Sequence, residues 1–218
     1  MSTRLYDFGY LPGLTPSTFL GTATPAINPY SIEPWNSQDS ISLDEFDYEL
    51  SPVDFILLSI VHMTDSLETV CSTTGVLFSD GNIALKADSF CEIDNALSYQ
   101  ILIEHRNHLP ILWPEPISIS SVETVVDFTT NDSFTSTLAN GQIEIETGLF
   151  AMYAGNGSQL GLERVDLNVR DVFLLANDIG KHSIYISSDY DMNGDVNVVD
   201  RSFLLRNLGV FSSIPFKF

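Results

Sequence analysis

The sequence predicts a mainly β protein with a small α-helical module at its C-terminal end. Between residues 52 and 153, short runs rich in β-branched and aromatic residues alternate with turn signals such as Asn140-Gly141, a spacing typical of an antiparallel β-sandwich. Two later segments have apolar residues at helical spacing, and each follows a loop rich in Asp and Asn. No helix is required before residue 165.

The composition indicates a folded chain with more than one part. Of its 218 residues, 44% are hydrophobic, which is enough for one sizeable core and a smaller one. Proline, threonine and serine dominate the first segment, which therefore reads as an arm or linker. We expect an N-terminal arm in residues 1–51, a β-sandwich domain in residues 52–153 and a helical module in residues 154–218.

The charge balance excludes some classes of partner. The 9 Lys and Arg residues stand against 29 Asp and Glu residues, so the formal net charge is −20. Such a charge repels nucleic acid and anionic membranes. No apolar run approaches the ~20 residues of a membrane span. The sequence therefore predicts neither a nucleic-acid partner nor membrane insertion.

The N-terminal arm is expected to touch the β domain at a few places. Tyr30, Trp35 and Phe46 lie in this proline-rich segment. Aromatic side chains bury large areas when they pack. We expect them to anchor the arm on the sandwich.

Eight segments are predicted as strands because they combine β-branched and aromatic residues between turn signals. Residues 142–146 alternate apolar and polar side chains, as in a strand with one solvent-facing side. The predicted strands are residues 53–61, 75–78, 83–87, 99–104, 117–119, 122–128, 142–146 and 149–153.

The two cysteines leave two alternatives open. Cys71 and Cys91 lie on either side of a predicted hairpin. A disulfide and a pair of free buried thiols both fit this position.

The histidine cluster in residues 104–108 raises the question of catalysis. His105 and His108, with Glu104 nearby, invite a metal or acid–base interpretation. On a strand, however, His105 points to the face opposite to His108, so we predict that the two side chains diverge unless a bulge intervenes, and that the segment is structural. The sequence contains no nucleophile elbow, phosphate-binding glycine loop or His-Glu-x-x-His motif. We therefore predict no catalytic residues and no enzymatic activity.

The strongest functional motif is a calcium-loop spacing in residues 189–200. Calcium takes six to eight oxygen ligands, which a twelve-residue loop supplies from positions 1, 3, 5, 7, 9 and 12 around a glycine at position 6. Gly194 occupies position 6. The ligand positions hold Asp189, Asp191, Asn193, Asp195, Asn197 and Asp200. Position 12 is Asp where the usual helix-loop-helix pattern has Glu, and Ca²⁺ is the expected cofactor.

A weaker copy of the motif precedes it. A shift of 29 residues, as from Asp171 to Asp200, also superposes Gly180 on Gly209, a residue type that commonly ends helices. The front half of the earlier loop contains four extra residues, so we expect either weaker calcium binding or a solvated Asp/Asn turn. Its candidate ligands are Asn156, Ser158, Asp166, Asn168 and Asp171.

A calcium loop with Asp at position 12, followed by one helix and present twice, resembles the EF-hand-like repeat of dockerins. Dockerins attach secreted bacterial proteins to partner modules called cohesins. The resemblance covers residues 154–218 firmly and the β region loosely, and it implies a calcium-binding module with a cohesin-like protein partner. Dockerins bind through the helices that follow the loops. The implied contacts are Arg201, Ser202, Leu205 and Arg206, with Arg170, Val172, Phe173 and Asn177 on the first helix.

We therefore predict a non-catalytic, secreted or cell-surface module that mediates protein attachment. Met1 leads into no apolar stretch with a cleavage site, so an extracellular chain would lack its signal sequence here. One alternative is a carbohydrate-binding sandwich that uses Trp113 or Trp35 and has structural calcium sites. Another is a rigid segment of a surface adhesin or fibre.

Overall fold

Antiparallel strands make up most of the regular secondary structure among the described residues, and two short helices follow them. The computed structural model of this chain describes residues 29–31, 33–37, 52–63, 67–78, 81–85, 98–113, 115–117, 126–130, 135–136, 139–140, 142–160, 164–182, 186–212 and 214.

The centre of the fold is a five-stranded antiparallel sheet. Its strands are β1 (Pro52–Met63), β2 (Leu67–Phe78), β3 (Ile83–Leu85), β4 (Gln100–His105) and β5 (His108–Leu112). They lie in the order β3-β2-β1-β4-β5, so β1 is central. Two small antiparallel pairs complete the β structure: β6 (Thr135–Ser136) with β7 (Ala139–Asn140), and β8 (Gln142–Glu146) with β9 (Leu149–Met152).

Apolar residues on both faces of β1 explain its central position. Successive side chains of a strand point to opposite faces. Ile56 and Leu58 therefore join one core cluster, whereas Phe55 and Leu57 join another. All four are at most 2% exposed, and each such burial contributes roughly 1.5–3 kcal/mol.

Different segments cover the two faces of the sheet. Phe128 and Met152, the last residue of β9, pack on the face that carries Ile56. Tyr30 lies in a 3₁₀ turn (Pro29–Ser31) and packs on the face that carries Phe55. The Tyr30 hydroxyl donates a hydrogen bond of 3.0 Å to Phe55 O. The sheet is thus buried on both sides.

The expected contacts of the N-terminal arm are confirmed for two of its aromatic residues. Trp35 packs beside Tyr30 in the same cluster on the sheet. Phe46 lies outside the described residues.

The antiparallel β prediction is confirmed, with changes in particular strands. β2 begins at Leu67 and not at residue 75. β5 was not predicted, because Pro110 argues against a strand; it is tolerated because β5 is an edge strand. Of the strand predicted at residues 122–128, the described residues 126–128 form only a bridge and the start of a turn.

The state of Cys71 distinguishes a disulfide from a pair of free thiols. It lies in β2 and forms a disulfide. The other cysteine of the chain, Cys91, lies outside the described residues.

The C-terminal module contains two helices of ten residues each, α1 (Val169–Asp178) and α2 (Val198–Asn207). Each begins with a capping box, in which an Asn at the N-cap and an Asp three residues later exchange hydrogen bonds with the backbone. The pairs are Asn168 with Asp171 and Asn197 with Asp200. The same local sequence signal therefore starts both helices.

A shared apolar core joins the helices to the sheet. Leu175 of α1 and Leu204 of α2 lie in one buried cluster with Leu109 of β5. At the end of α2, Asn207 Nδ2 donates to Ala154 O at 2.8 Å. Among the described residues, no helix is long and apolar enough to span a membrane.

Gly157→Ala should destabilise the C-terminal module, because a Cβ atom has no room there. It would lie 2.9 Å from Leu174 Cδ2 and 3.0 Å from both Ser187 O and the Tyr190 hydroxyl oxygen. Such overpacking costs roughly 1–3 kcal/mol, measurable by urea denaturation. Adding Leu174→Ala should recover part of the loss, since contacting sites are not additive. A double variant whose loss equals the sum of the single losses would contradict this account.

Candidate metal centre

The second loop, residues 189–200, brings three carboxylates together. Ligand atoms of Asp189, Asp191 and Asp200 all lie within 4.8 Å of one another. Asp189 and Asp200 are completely buried, and Asp191 is partly buried. Like charges repel strongly at this distance away from bulk water. A cation between these carboxylates would relieve that repulsion.

Backbone N–H groups hold the first carboxylate of the loop. Asn193 N donates to Asp189 Oδ1 at 3.1 Å, and Gly194 N donates to Asp189 Oδ2 at 2.9 Å. Gly194 has a φ of 90°, a conformation that strongly favours glycine. The turn at position 6 therefore aims two N–H groups at position 1.

Asp200 joins the end of the loop to the start of α2. Its Oδ2 accepts a hydrogen bond from Asn197 N at 2.8 Å, which is half of the capping box. Its Oδ1 accepts from Tyr190 N at 2.6 Å. One carboxylate thus closes the loop and caps the helix.

Burial and mutual repulsion raise the pKa values of these carboxyl groups. Burial, followed by the charges of Asp200 and Asp189, raises the pKa of Asp191 to about 7. Burial also raises the pKa of Asp189, against the opposing charge of Arg106. The pKa of Asp200 is raised by burial as well. A divalent cation would favour the ionised form of all three groups.

The other predicted ligands of this loop mainly support its backbone. Asn193 Nδ2 donates to Asp191 Oδ2 at 2.8 Å, and Asn193 Oδ1 accepts from Asp195 N at 2.8 Å. Asn197 Oδ1 accepts from Val199 N at 2.7 Å as the N-cap of α2. The Asp195 side chain turns outward and contacts His182 Nδ1. Only a backbone carbonyl is needed from position 7.

The first loop arranges its predicted ligands differently. Asp171 Oδ1 accepts from Ser158 N and its Oδ2 from Asn168 N, both at 2.9 Å, and burial raises its pKa to about 6. Asp166 Oδ1 accepts from Asn168 Nδ2 at 2.8 Å. Asn156 is completely buried, and its Oδ1 has no hydrogen-bond partner among the described residues. Without counting residues 161–163, which the structure does not describe, the first loop has fewer carboxylates than the second.

Equivalent backbone hydrogen bonds relate the two repeats by the shift of 29 residues seen in the sequence. Gly180 N donates to Val196 O at 2.8 Å, and Gly209 N donates to Leu167 O at 2.8 Å. The return bonds, from Val196 N and Leu167 N to the residues after those glycines, measure 3.0 and 2.9 Å. Gly180 and Gly209 have φ values of 86° and 89°. Each loop is therefore paired with the residues that follow the helix of the other repeat.

The tip of the β4–β5 hairpin is inserted between the two loops, which the sequence did not reveal. Asn107 is completely buried. Its backbone O accepts from Gly155 N and Asn156 N, both at 3.1 Å, and its Nδ2 donates to Asp189 O at 2.6 Å. Asn156 and Asp189 hold position 1 of the first and second loops. One residue of the sheet thus contacts the first ligand residue of both loops.

Arg106, beside Asn107 in the same turn, ties the segment just before the second loop to β1. Its Nε donates to Asp54 Oδ2 at 2.9 Å and its Nη1 to Ile186 O at 2.8 Å. Burial opposes the ionisation of Asp54, but Arg106 and His105 outweigh it and hold its pKa at about 2. Asp54 is therefore a permanent anion that keeps Arg106 in place.

The two histidines of the hairpin face each other, so the prediction that they diverge is wrong. A two-residue turn places His105 opposite His108, with their Nδ1 atoms 2.9 Å apart. His108 Nδ1 lies 2.8 Å from Asn107 Oδ1, and His105 Nε2 lies 3.3 Å from Asp54 Oδ2. Because Asn107 Nδ2 donates to the loop, its Oδ1 must accept, which places a proton on His108 Nδ1. Burial lowers the pKa of both rings, which favours their neutral form.

The side chains implied as partner contacts lie on the outside of α2. Arg201, Ser202, Leu205 and Arg206 are all exposed. The Arg206 guanidinium lies 5.3 Å from the centre of the Phe203 ring. On α1, Arg170, Phe173 and Asn177 are exposed and Val172 is partly buried.

Large apolar side chains are exposed on both helices. Val169 and Val198, which are equivalent in the two repeats, are 76% and 71% exposed, and Phe173 is 70% exposed. Exposed apolar side chains that cluster commonly mark interaction surfaces. Each helix therefore exposes apolar side chains, and α2 also exposes Arg201 and Arg206.

The two tryptophans considered as sugar contacts are engaged within the protein. Trp35 packs edge-on against Tyr30, with ring centres 4.9 Å apart, and its Nε1 donates to Glu104 Oε1 at 3.2 Å. Trp113 packs edge-on against Phe128 at 5.7 Å. Both rings are partly buried. They give no specific support to a sugar-binding platform.

Neither a protein-family model nor a curated protein matches the chain. Among solved structures, similar chains occur in crystal structures of an N-terminal and a C-terminal interface mutant of a type II Cohesin-X-Dockerin complex from Acetivibrio cellulolyticus. The first match has 19% identity and a TM-score of 0.40, the second 18% and 0.39; both cover 72% of this chain and 83% of the other.

Asp200→Asn should weaken calcium binding more than Asp171→Asn. Asp200 belongs to the three-carboxylate cluster, whereas Asp171 belongs to no such cluster among the described residues. We expect calorimetric titration of the full chain to show a Kd raised at least about tenfold by Asp200→Asn, or about 1.4 kcal/mol. Equal losses of affinity in the two variants would contradict the ranking of the loops.

The buried histidine pair should destabilise the fold in mild acid. Histidine in the unfolded chain titrates near pH 6.5, and the pKa values in the folded chain are lower. The stabilisation of the fold by the neutral pair is therefore complete above about pH 6.5 and is lost as the pH falls below it. Each proton taken up on unfolding lowers the unfolding free energy by about 1.4 kcal/mol per pH unit. Urea denaturation at about pH 7.5 and about pH 5.5 measures this effect. Between these pH values, the free energy of unfolding should fall less in His108→Gln than in the unsubstituted chain. Identical losses would argue against a neutral pair.

Proposed function

We propose that residues 154–218 form a calcium-dependent attachment module through which the chain docks on a protein partner, and that the chain has no enzymatic activity. The observation that carries this proposal is the pairing of two loop-helix repeats by equivalent hydrogen bonds, together with the carboxylate cluster at the second loop. The resemblance of these repeats to dockerins supplies the partner class, a cohesin-like module.

The donor set of the second loop suits calcium better than other common metals. Asp189, Asp191 and Asp200 offer carboxylate oxygens, and position 7 adds a carbonyl. Calcium prefers six to eight oxygen ligands, whereas zinc prefers nitrogen and sulfur. The residues that would hold the ion are therefore these three aspartates and the Asp195 carbonyl, with Asn193 and Asn197 beside them.

A second, weaker calcium site at the first loop is part of the proposal. Asn156 Oδ1 is buried without a partner among the described residues, and an unpaired buried acceptor is costly. A cation bound near Asp171 would satisfy it. Because position 1 is an amide and position 3 is Ser158, the site has less negative charge than the second loop.

The docking surface is formed by the exposed sides of the two helices. Val198 and Leu205 are 71% and 45% exposed on α2, and Arg201 and Arg206 lie on the same helix. Apolar anchors bordered by charge are typical of protein interfaces. Basic residues on a chain of net charge −20 would steer an acidic partner patch to this helix.

An extracellular location is also proposed. The disulfide formed by Cys71 is the supporting observation, since such bonds persist mainly in oxidising compartments. Millimolar calcium outside cells would suit an attachment module of this type.

Calcium should raise the thermal stability of the full chain. Binding at 100 times the dissociation constant stabilises the binding state by about 2.7 kcal/mol, which corresponds to a rise of roughly 5–10 °C in Tm for a chain of this size. Differential scanning calorimetry in calcium and in chelator measures it, with magnesium as the ion control. A melting profile unchanged by chelator would refute the calcium assignment.

Arg201→Ala combined with Arg206→Ala should abolish docking and leave calcium binding intact. Both side chains are exposed, so their loss removes positive charge from the surface with little effect on the fold. The measurement is surface-plasmon capture of a panel of cohesin modules in calcium and in chelator, beside calorimetric titration of calcium. Lys181→Ala, which removes an exposed positive charge outside both helices, is the control for loss of charge. Undiminished capture by the double variant would rule out this face of α2.

A further inference from the structure

The second loop and the segment just before it are attached to the β-sheet and its hairpin at three points that do not involve α2. Asn107 Nδ2 donates to Asp189 O at 2.6 Å, and Arg106 Nη1 donates to Ile186 O at 2.8 Å. The Met192 side chain, at position 4 of the loop, is 4% exposed and lies in the core cluster of the sheet. The loop is therefore held by a part of the chain far away in sequence.

Met192 fixes the turn that binds the first carboxylate. Its φ is 58°, which is uncommon for a residue other than glycine, and its burial in the sheet holds the turn in this conformation. The next two residues, Asn193 and Gly194, donate their N–H groups to the Asp189 carboxylate. The sheet thus positions the donors that orient this carboxylate.

Asn107 fixes the backbone of the same ligand residue. It is itself held on every side, since His108 Nδ1 contacts its Oδ1 at 2.8 Å and Asn156 N donates to its backbone O at 3.1 Å. A group held so rigidly can orient Asp189 before any ion binds, and such outer contacts tune metal affinity.

We propose that the β4–β5 hairpin sets the calcium affinity of the second loop, and that Asn107 is the positioning residue that does so without touching the ion. The inference rests on the proposed calcium function and adds that the β-sheet and the loop respond to calcium as one unit. Because such coupling is reciprocal, calcium bound at the loop must in turn stabilise the hairpin.

The test uses the full chain and two matched pairs of variants. Asn107→Ala is compared with Ser59→Ala, which breaks a partly buried side-chain hydrogen bond of 2.7 Å to Ser72, between β1 and β2. Met192→Ala is compared with Met152→Ala, since both side chains belong to the same core cluster but only Met192 lies on the loop. Each variant is titrated with calcium by calorimetry, and its Tm is measured in chelator.

We expect Asn107→Ala and Met192→Ala to raise the calcium Kd about tenfold. Ser59→Ala and Met152→Ala should lower the Tm in chelator and leave the Kd within about twofold of the unsubstituted chain. Hydrogen exchange adds an independent readout: calcium should slow exchange of the amides of residues 106–109 in the unsubstituted chain and much less in Asn107→Ala.

The outcomes separate this inference from the function on which it rests. If the unsubstituted chain binds calcium and Asn107→Ala binds it equally tightly, the inference is overturned and the proposed function stands. If all four variants weaken calcium in proportion to their loss of Tm, the hairpin acts only through general stability, and the inference is again overturned. If the unsubstituted chain binds no calcium, both are overturned.

Discussion

The buried turn formed by Arg106 and Asn107 is the contact on which the arrangement of the β-sheet and the helical module depends. Both residues are polar and almost completely covered, so each of their hydrogen-bonding groups needs a partner to offset the loss of water. Those partners come from β1, from both loops and from the segment before the second loop. A polar network of this kind is specific, because a shift of any one element would leave a buried charge or amide unpaired. The sheet and the helical module therefore have one satisfactory relative position.

This network also explains why the helical module packs against the β-sheet and does not stand apart from it. Leu109, two residues after the turn, lies in the core of the helices, and Met192 of the second loop lies in the core of the sheet. Each part thus contributes a side chain to the core of the other. The polar turn fixes the orientation, and the exchanged apolar residues supply the burial.

The parts that sequence reasoning predicted are those whose cause is local. The helical spacing of apolar residues in the two helices and the glycine after each helix act within a few neighbouring residues, so their pattern is legible in a single chain. The role of Asn107 is not, because its partner Asp189 is 82 positions away. The prediction that His105 and His108 diverge failed for a related reason. It assumed a continuous strand, whereas a two-residue turn reverses the chain between the two histidines. The turn was missed because the segment after it contains Pro110, and proline disfavours a strand. Within a sheet, a proline is tolerated mainly in an edge strand.

The exchanged hydrogen bonds between the repeats have a consequence for how the protein is made. Leu167, in the first loop, is paired with Gly209 and the residue after it, which follow the second helix. A chain that emerges from the ribosome or a translocation pore with its N-terminal end first must wait for that segment before the first loop has its backbone partners. In the same way, Gly180 has its backbone partner only after Val196 has emerged. Neither repeat is complete without the other, so the first half of the module stays open until the last part of the second has been delivered.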